Sequence, residues 1–224
     1  MIEEKIIFDS FADNMALWCQ ADLDAGELAR ATEVVMSQNL PIVSVSPVAV
    51  PVIWPWLENC DVKILARFYL DGKNITESQV SDVTVRINEV LKRGAHGAQV
   101  FLDVEAVADL VEQTYVVRDD LFFNKDLVLG LDILNVGPFD WDELYANLRK
   151  INASAVMFVF TNDMGDNSMF VAQIYAMLNM WNLENKFDLH FAFGPNFMRI
   201  EQVLRMIKTM RPELISRVKV FTNF

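Results

Sequence analysis

Asp9, Asp103 and Asp132 each stand where an apolar run turns polar, Arg67 lies inside the run ILARFYL, and His190 lies inside DLHFAF. Three carboxylates, a guanidinium and an imidazole converging on one pocket could move protons or hold a divalent cation. Like charges in a partly desolvated site push each other's pKa values apart, and carboxylate oxygens suit Mg²⁺. IIFDSF and LGLDIL place Asp9 and Asp132 among apolar neighbours, so both are expected to be buried, where an unpaired acid is costly. Arg67 then needs an acid of its own, and Asp9 or Asp103 is expected to supply it. Ser44, Thr161, Asn162 and Gly194 occupy the same strand-to-loop positions and complete the candidate set as ligand-binding residues. A competing reading attends each of them. Asp and Asn at such junctions commonly cap helices and make turns, a buried Arg–Asp pair can be purely structural, and a lone strand histidine is more often a core residue than a catalyst.

Other chemistries find no support. G-x-S-x-G, H-E-x-x-H and P-loop patterns are absent from the chain. After the seventh apolar run only Gly194 is present and Pro195 removes the next N–H donor, so phosphate capture there is expected to be weak. Cys19 and Cys60 lack metal-ligand spacing, so neither a zinc site nor a disulfide framework is expected of them, and no cofactor is implied.

These residues need elements to position them. Eight apolar, strand-like runs occur at Lys5–Phe11, Ile42–Ser46, Val62–Tyr69, Ala98–Val104, Leu127–Leu134, Ala155–Thr161, Phe187–Phe193 and Arg217–Thr222. Seven helix-period segments alternate with them. Strands that alternate with helices predict βαβ units and a parallel sheet buried on both faces. The fold class expected is α/β, a (β/α)8 TIM barrel in one domain over residues 1–224, lacking the helix after strand eight. A doubly wound open sheet ranks second, because no G-x-G-x-x-G follows the first run. Without a last helix the apolar end VKVFTNF is expected to need cover from a second copy, which predicts a homo-oligomer.

With 224 residues and 53% hydrophobic side chains, the chain can bury one large core. Its net charge of −12 and lack of a basic cluster argue against nucleic acid and anionic membranes as partners. No uncharged apolar run is long enough to span a bilayer, and the acidic start MIEEKIIFDSFAD is unlike a signal peptide, so a cytoplasmic location is expected.

The stretch LDAGELARATEVVMSQNLPIVSVSPVAVPVIWPWLENCDVKILARF, followed by EVLKRGAHGAQVFLDVEAV, resembles the deoxyribose-phosphate aldolases of the class I aldolase superfamily. The resemblance continues more loosely through NASAVMFVFTND and HFAFGPN. Such enzymes work through a Schiff base on a lysine of depressed pKa. The resemblance places that lysine at Met157, the second lysine at Phe191, the strand-four aspartate at Gln99 and a strand-two cysteine at Ser44. Only the strand-one aspartate is kept, as Asp9. No lysine occurs between Lys150 and Lys186. The resemblance therefore implies an aldolase-like barrel that has lost Schiff-base chemistry and acts as a small-molecule-binding or assembly module. The alternative is a lyase or isomerase on a small, sugar-phosphate-like metabolite using the rim carboxylates, with or without a metal. An ordinary aldolase would need an unusual lysine such as Lys63 or Lys219.

Overall fold

The structure, a computed structural model, describes residues 12–117, 126–133, 136–137, 139–151, 153–160, 167–181, 184–193 and 197–223. Eight parallel strands pair in sequence order, and the eighth pairs with the first, so the sheet closes into a barrel. They are β1 (Met15–Trp18), β2 (Ile42–Val45), β3 (Lys63–Leu70), β4 (Gly97–Leu102), β5 (Asp126–Asp132), β6 (Ala155–Val159), β7 (Asp188–Ala192) and β8 (Val218–Asn223). The helices between them are α1 (Ala25–Ser37), α2 (Val50–Leu57), α3 (Glu77–Lys92), α4 (Val107–Val117), α5 (Trp141–Ile151), α6 (Asn167–Met180) and α7 (Phe197–Met210). This is the (β/α)8 TIM barrel of the α/β class. Among the described residues no helix is long and apolar enough to cross a membrane.

Local chemistry sets the helix ends. Asp24 accepts from the Glu27 N–H while Glu27 accepts from the Asp24 N–H, and Thr76 and Gln79 repeat that reciprocal cap at α3. Gly94, at φ 109°, ends α3 in the left-handed region, and a β-carbon there would overlap the Trp54 ring.

The first strand corrects the sequence expectation. The barrel is closed by Met15–Trp18, paired with Leu17 opposite Val43 and Met15 opposite Val220, and not by residues 5–11, which lie outside the described residues. MALW is short, and KIIF is the stronger β-former, which is why the pattern favoured the earlier run. Loop length speaks for the later one: six residues separate β1 from α1, within the usual range for βα loops. Asn14 fixes the entry, its amide donating to the carbonyls of Ile215 and Val218 at 2.7 and 2.8 Å.

The far end of the chain brings a second correction. Val218, Val220 and Phe221 are fully buried within the chain. Val218 and Val220 join the apolar layer that includes Val203 and Ile207 of α7, while Phe221 points into the barrel. The end VKVFTNF therefore needs no second copy to cover it.

Two apolar layers result from the strand alternation. The larger lies between sheet and helices. The smaller fills the barrel itself and contains Ala16, Leu65, Phe101, Val128, Met157, Ala192 and Phe221, with Trp18 and Val159 against it. At Gly130 of β5 the missing side chain is what admits the Phe101 ring, since a β-carbon built there would overlap it. Gly130→Ala is therefore expected to destabilise the fold by about 1–3 kcal/mol through overpacking. Urea unfolding checks this, and Phe101→Leu in the same chain should recover part of the loss.

Candidate active site at the barrel mouth

In a (β/α)8 barrel the C-terminal strand ends form the mouth where enzymes of this fold place their chemistry. Among the described residues the inward side chains toward that end include Trp18 of β1, Ser44 of β2, Arg67 and Tyr69 of β3, Gln99 and Phe101 of β4, Asp132 of β5, Met157 and Val159 of β6, Ala192 of β7 and Phe221 of β8. Aromatic rings dominate: Trp18 meets Phe101 edge-on at 5.4 Å between centroids, and Tyr69 stacks on Phe101 at 5.2 Å. Met157 is fully buried in the apolar filling.

The polar members pair among themselves. Arg67, only 3% exposed, donates to the Ser44 carbonyl at 2.9 Å, to Ser44 Oγ at 3.0 Å and to the Cys19 carbonyl. Its guanidinium carbon lies 4.4 Å from the centroid of the Trp18 ring, in cation–π contact. Ser44 Oγ in turn donates to Gln99 Oε1, and Gln99 Nε2 is buried without a partner among the described residues. Burial lowers the Arg67 pKa, an effect opposed by Tyr69 and Cys19. Burial likewise pushes the Cys19 thiol up to about 11 despite the nearby Arg67, which leaves it a protonated, unreactive thiol near neutral pH.

Ser44 and Arg67 are brought together with Gln99, the position where the resemblance puts the family's aspartate. Among the described residues Arg67 bonds backbone carbonyls and not Asp103, and Asp9, the other acid expected to pair with it, lies outside the described residues. Asp103 is exposed in the turn after β4, and Asp132 is exposed at the end of β5. The burial expected of Asp132 fails because it belongs to the inward row of β5 at the open end, where that row meets solvent. Asp9, Thr161, Asn162 and Gly194 lie outside the described residues. Among the described residues no group of three or more His, Cys, Asp or Glu could hold a metal ion.

Phe191 does not face the lumen. It packs in the outer layer, 6.0 Å from the Phe158 ring and stacked at 5.8 Å on Phe193. The inward residues of β7 are its neighbours His190 and Ala192. A slip of one residue in register moves a side chain to the opposite face of a strand, which is why the position assigned from sequence landed outside.

His190 lies deeper, toward the N-terminal end. It pairs in register with Met157 and Lys219, and its ring is 5.4 Å from Phe221. There the inward residues turn charged: Lys63, Asp126, Asp188 and Lys219 surround a chamber of about 300 Å³. Lys63 binds Asp126 at 2.6 Å, and Arg217 binds Asp188 at 3.1 Å. This floor was missed as a group, although charged residues opening otherwise apolar strands, as in KILARF and DLHFA, are a signal visible in the sequence.

Burial first, then Lys219 and Lys63, push the His190 pKa from 6.5 down to about 3. The folded state therefore keeps the ring neutral while the unfolded chain protonates it near its ordinary value of about 6.5. The stability tied to this neutral ring is complete above that value and is lost as pH falls toward 3. His190→Gln is expected to lose less stability than the wild type between about pH 6.5 and pH 4, as measured by urea midpoints across that range.

No protein-family model matches the chain, and no curated protein matches it in sequence. Solved structures do match in fold. A protein described as a deoxyribose-phosphate aldolase from Coccidioides immitis superposes with a TM-score of 0.68 at 9% identity, over 95% of this chain and 81% of that one. The tetrameric deoxyribose phosphate aldolase from Aeropyrum pernix gives 0.64 at 12% identity, over 96% and 86%. An aldolase designated QR15 gives 0.67 at 9% identity, over 95% and 90%. At identities this low the likeness is one of architecture, and in architecture this chain is a barrel like those of the deoxyribose-phosphate aldolases.

Proposed function

We propose that this aldolase-like barrel no longer runs Schiff-base chemistry at its C-terminal mouth and serves as a small-molecule-binding or assembly module. The observation that carries the reading is Met157. It is the inward residue of β6 at the level where the resemblance puts the imine-forming lysine, and it is fully buried against apolar neighbours. A thioether has no amine with which to form an imine. Neither do the inward residues beside it in register, Gly130 and His190, supply a second primary amine. Arg67, the buried cation of the mouth among the described residues, is committed to backbone carbonyls and the Trp18 face.

The assembly half of the reading is supported by the apolar residues that the mouth exposes. Val48 after β2, Tyr69 at the end of β3 and Phe139 after β5 are 76%, 56% and 92% exposed. Large exposed apolar side chains gathered at one end of a molecule suit association, so the form we propose is a homo-oligomer.

Sodium borohydride with a panel of aldehydes is expected to leave the intact mass of the wild type unchanged. Met157→Lys is expected to lower the melting temperature, since an unpaired ammonium in this layer costs on the order of a few kcal/mol, and to turn over no deoxyribose 5-phosphate. A reduced adduct on the new lysine accompanied by turnover would overturn the reading.

A further inference from the structure

The chamber at the N-terminal end of the barrel, opposite the mouth, has the makings of a binding site in its own right. Its volume of about 300 Å³ is at the small end of the range for ligand pockets, room for a molecule of a few heavy atoms up to roughly a dozen. Leu65, Val128 and Ala155 give it an apolar wall, and the polar groups converge from strands that are far apart in sequence.

Three features of those groups matter together. His190 lines the chamber, is 5% exposed, and its Nδ1 has no hydrogen-bond partner among the described residues. A buried ring nitrogen left unpaired is costly, and such groups in folded proteins ordinarily meet a water or a ligand. Lys219 places its ammonium on the same chamber, donating to the backbone carbonyl of Asp13 and pairing with no carboxylate among the described residues. Lys63 approaches from β3; burial lowers the Lys219 pKa, Asp13 and Asp188 oppose that, and Lys63 adds a smaller lowering. The chamber's carboxylates are shared with other cations or stand at its edge. Asp126 is engaged by Lys63, Asp188 is engaged by Arg217, and Asp61 lies exposed at the edge.

We propose that this chamber binds a small oxyanion-bearing metabolite, a phosphate ester or a carboxylate, with the anionic oxygens on Lys219 and Lys63 and one oxygen accepting from His190 Nδ1–H. An anion beside the lysines favours the charged Lys219 that burial disfavours, and the neutral imidazole serves as a hydrogen-bond donor in the tautomer that carries its proton on Nδ1. The apolar wall then takes the carbon portion of the ligand. This takes up the ligand-binding half of the reading above at the other end of the barrel from Met157, so failure here would leave the borohydride result standing.

The test is calorimetric titration of the full chain at low ionic strength with inorganic phosphate and, separately, with malonate. At least one probe is expected to saturate a single site. Lys219→Met is expected to weaken that binding by about tenfold or more, the loss of one charge-assisted contact, while Lys219→Arg stays within about threefold. Tyr69→Phe, at the opposite end, should bind as the wild type does. Saturation by phosphate alone assigns the phosphate-ester class, by malonate alone the carboxylate class, and by both a general oxyanion site. The proposal is overturned if neither probe saturates, if Lys219→Met binds like the wild type, or if Tyr69→Phe weakens binding as much. Should Lys219→Met fail to fold, the imidazole ¹H–¹⁵N signals of His190 in the wild type decide: they must shift with the same saturation curve, and unmoved signals overturn the proposal.

Discussion

An eight-stranded barrel encloses an interior that side chains just fill, and this constraint governs the rest of the molecule. Each inward position must fit the volume left by its neighbours on other strands. Phe101 can cross the lumen only because Gly130 carries no side chain, and Trp18 and Tyr69 then pack on the Phe101 ring. Met157, unbranched and polarizable, takes up the irregular space beneath them. None of these residues would be placed as it is if one of the others were changed in size.

The same constraint explains how an arginine survives in the mouth. A guanidinium buried there cannot reach water, so its donors must be met by whatever the strand ends offer. The carbonyls of Cys19 and Ser44, at the ends of two neighbouring strands, accept from it, and the Trp18 face covers it. Arg67 thereby ties β1, β2 and β3 together at the mouth. Among the described residues its acceptors are dipoles that the sheet already provides.

Much of the architecture was legible in the sequence because parallel strands covered on both faces are written as apolar runs, and their alternation with helix-period segments leaves few alternatives. What was not legible depended on phase and on distance. Asp132 lies in LGLDIL, which looks buried, but its row faces the lumen and runs out into solvent at the strand end. The resemblance put the second lysine at Phe191, yet the inward row is one residue away on either side; the alternation of Asp188 and His190 with Leu189 and Phe191 in DLHFA carried that phase, and the loose match to the family did not. The true first strand, MALW, is four residues long and is held in place by pairing with β8, some two hundred residues away, a contact that no local pattern announces. Ser44 and Arg67 stood out as polar residues interrupting apolar strands, but their pairing with each other and with Gln99 was not legible, because it joins strands far apart in sequence.

The distribution of cations along the barrel axis follows from the same physics and bears on what each end can do. At the level of Met157 the lumen is dry, aromatic and already filled, so a lysine there would have neither water nor a carboxylate to solvate it. At the floor, Lys63 sits beside Asp126 with both partly exposed, and Lys219 is only half-buried against a backbone carbonyl, so two ammonium groups are tolerated within reach of one chamber. His190 stands at the boundary between these regions, with Phe221 against its ring and the charged chamber before it. Water and ions can approach it from the floor but not through the aromatic plug above. A ligand that enters this barrel by the floor therefore meets hydrogen-bond donors and cations before it meets hydrocarbon. At the mouth, among the described residues, Tyr69 and Val48 are exposed, and behind Tyr69 the buried polar groups of Arg67, Ser44 and Gln99 bond to one another or to backbone carbonyls, Gln99 Nε2 apart. The polar chamber of this barrel thus lies at the end where enzymes of this fold do not place their chemistry, and Val48, Tyr69 and Phe139 stand exposed at the end where they do.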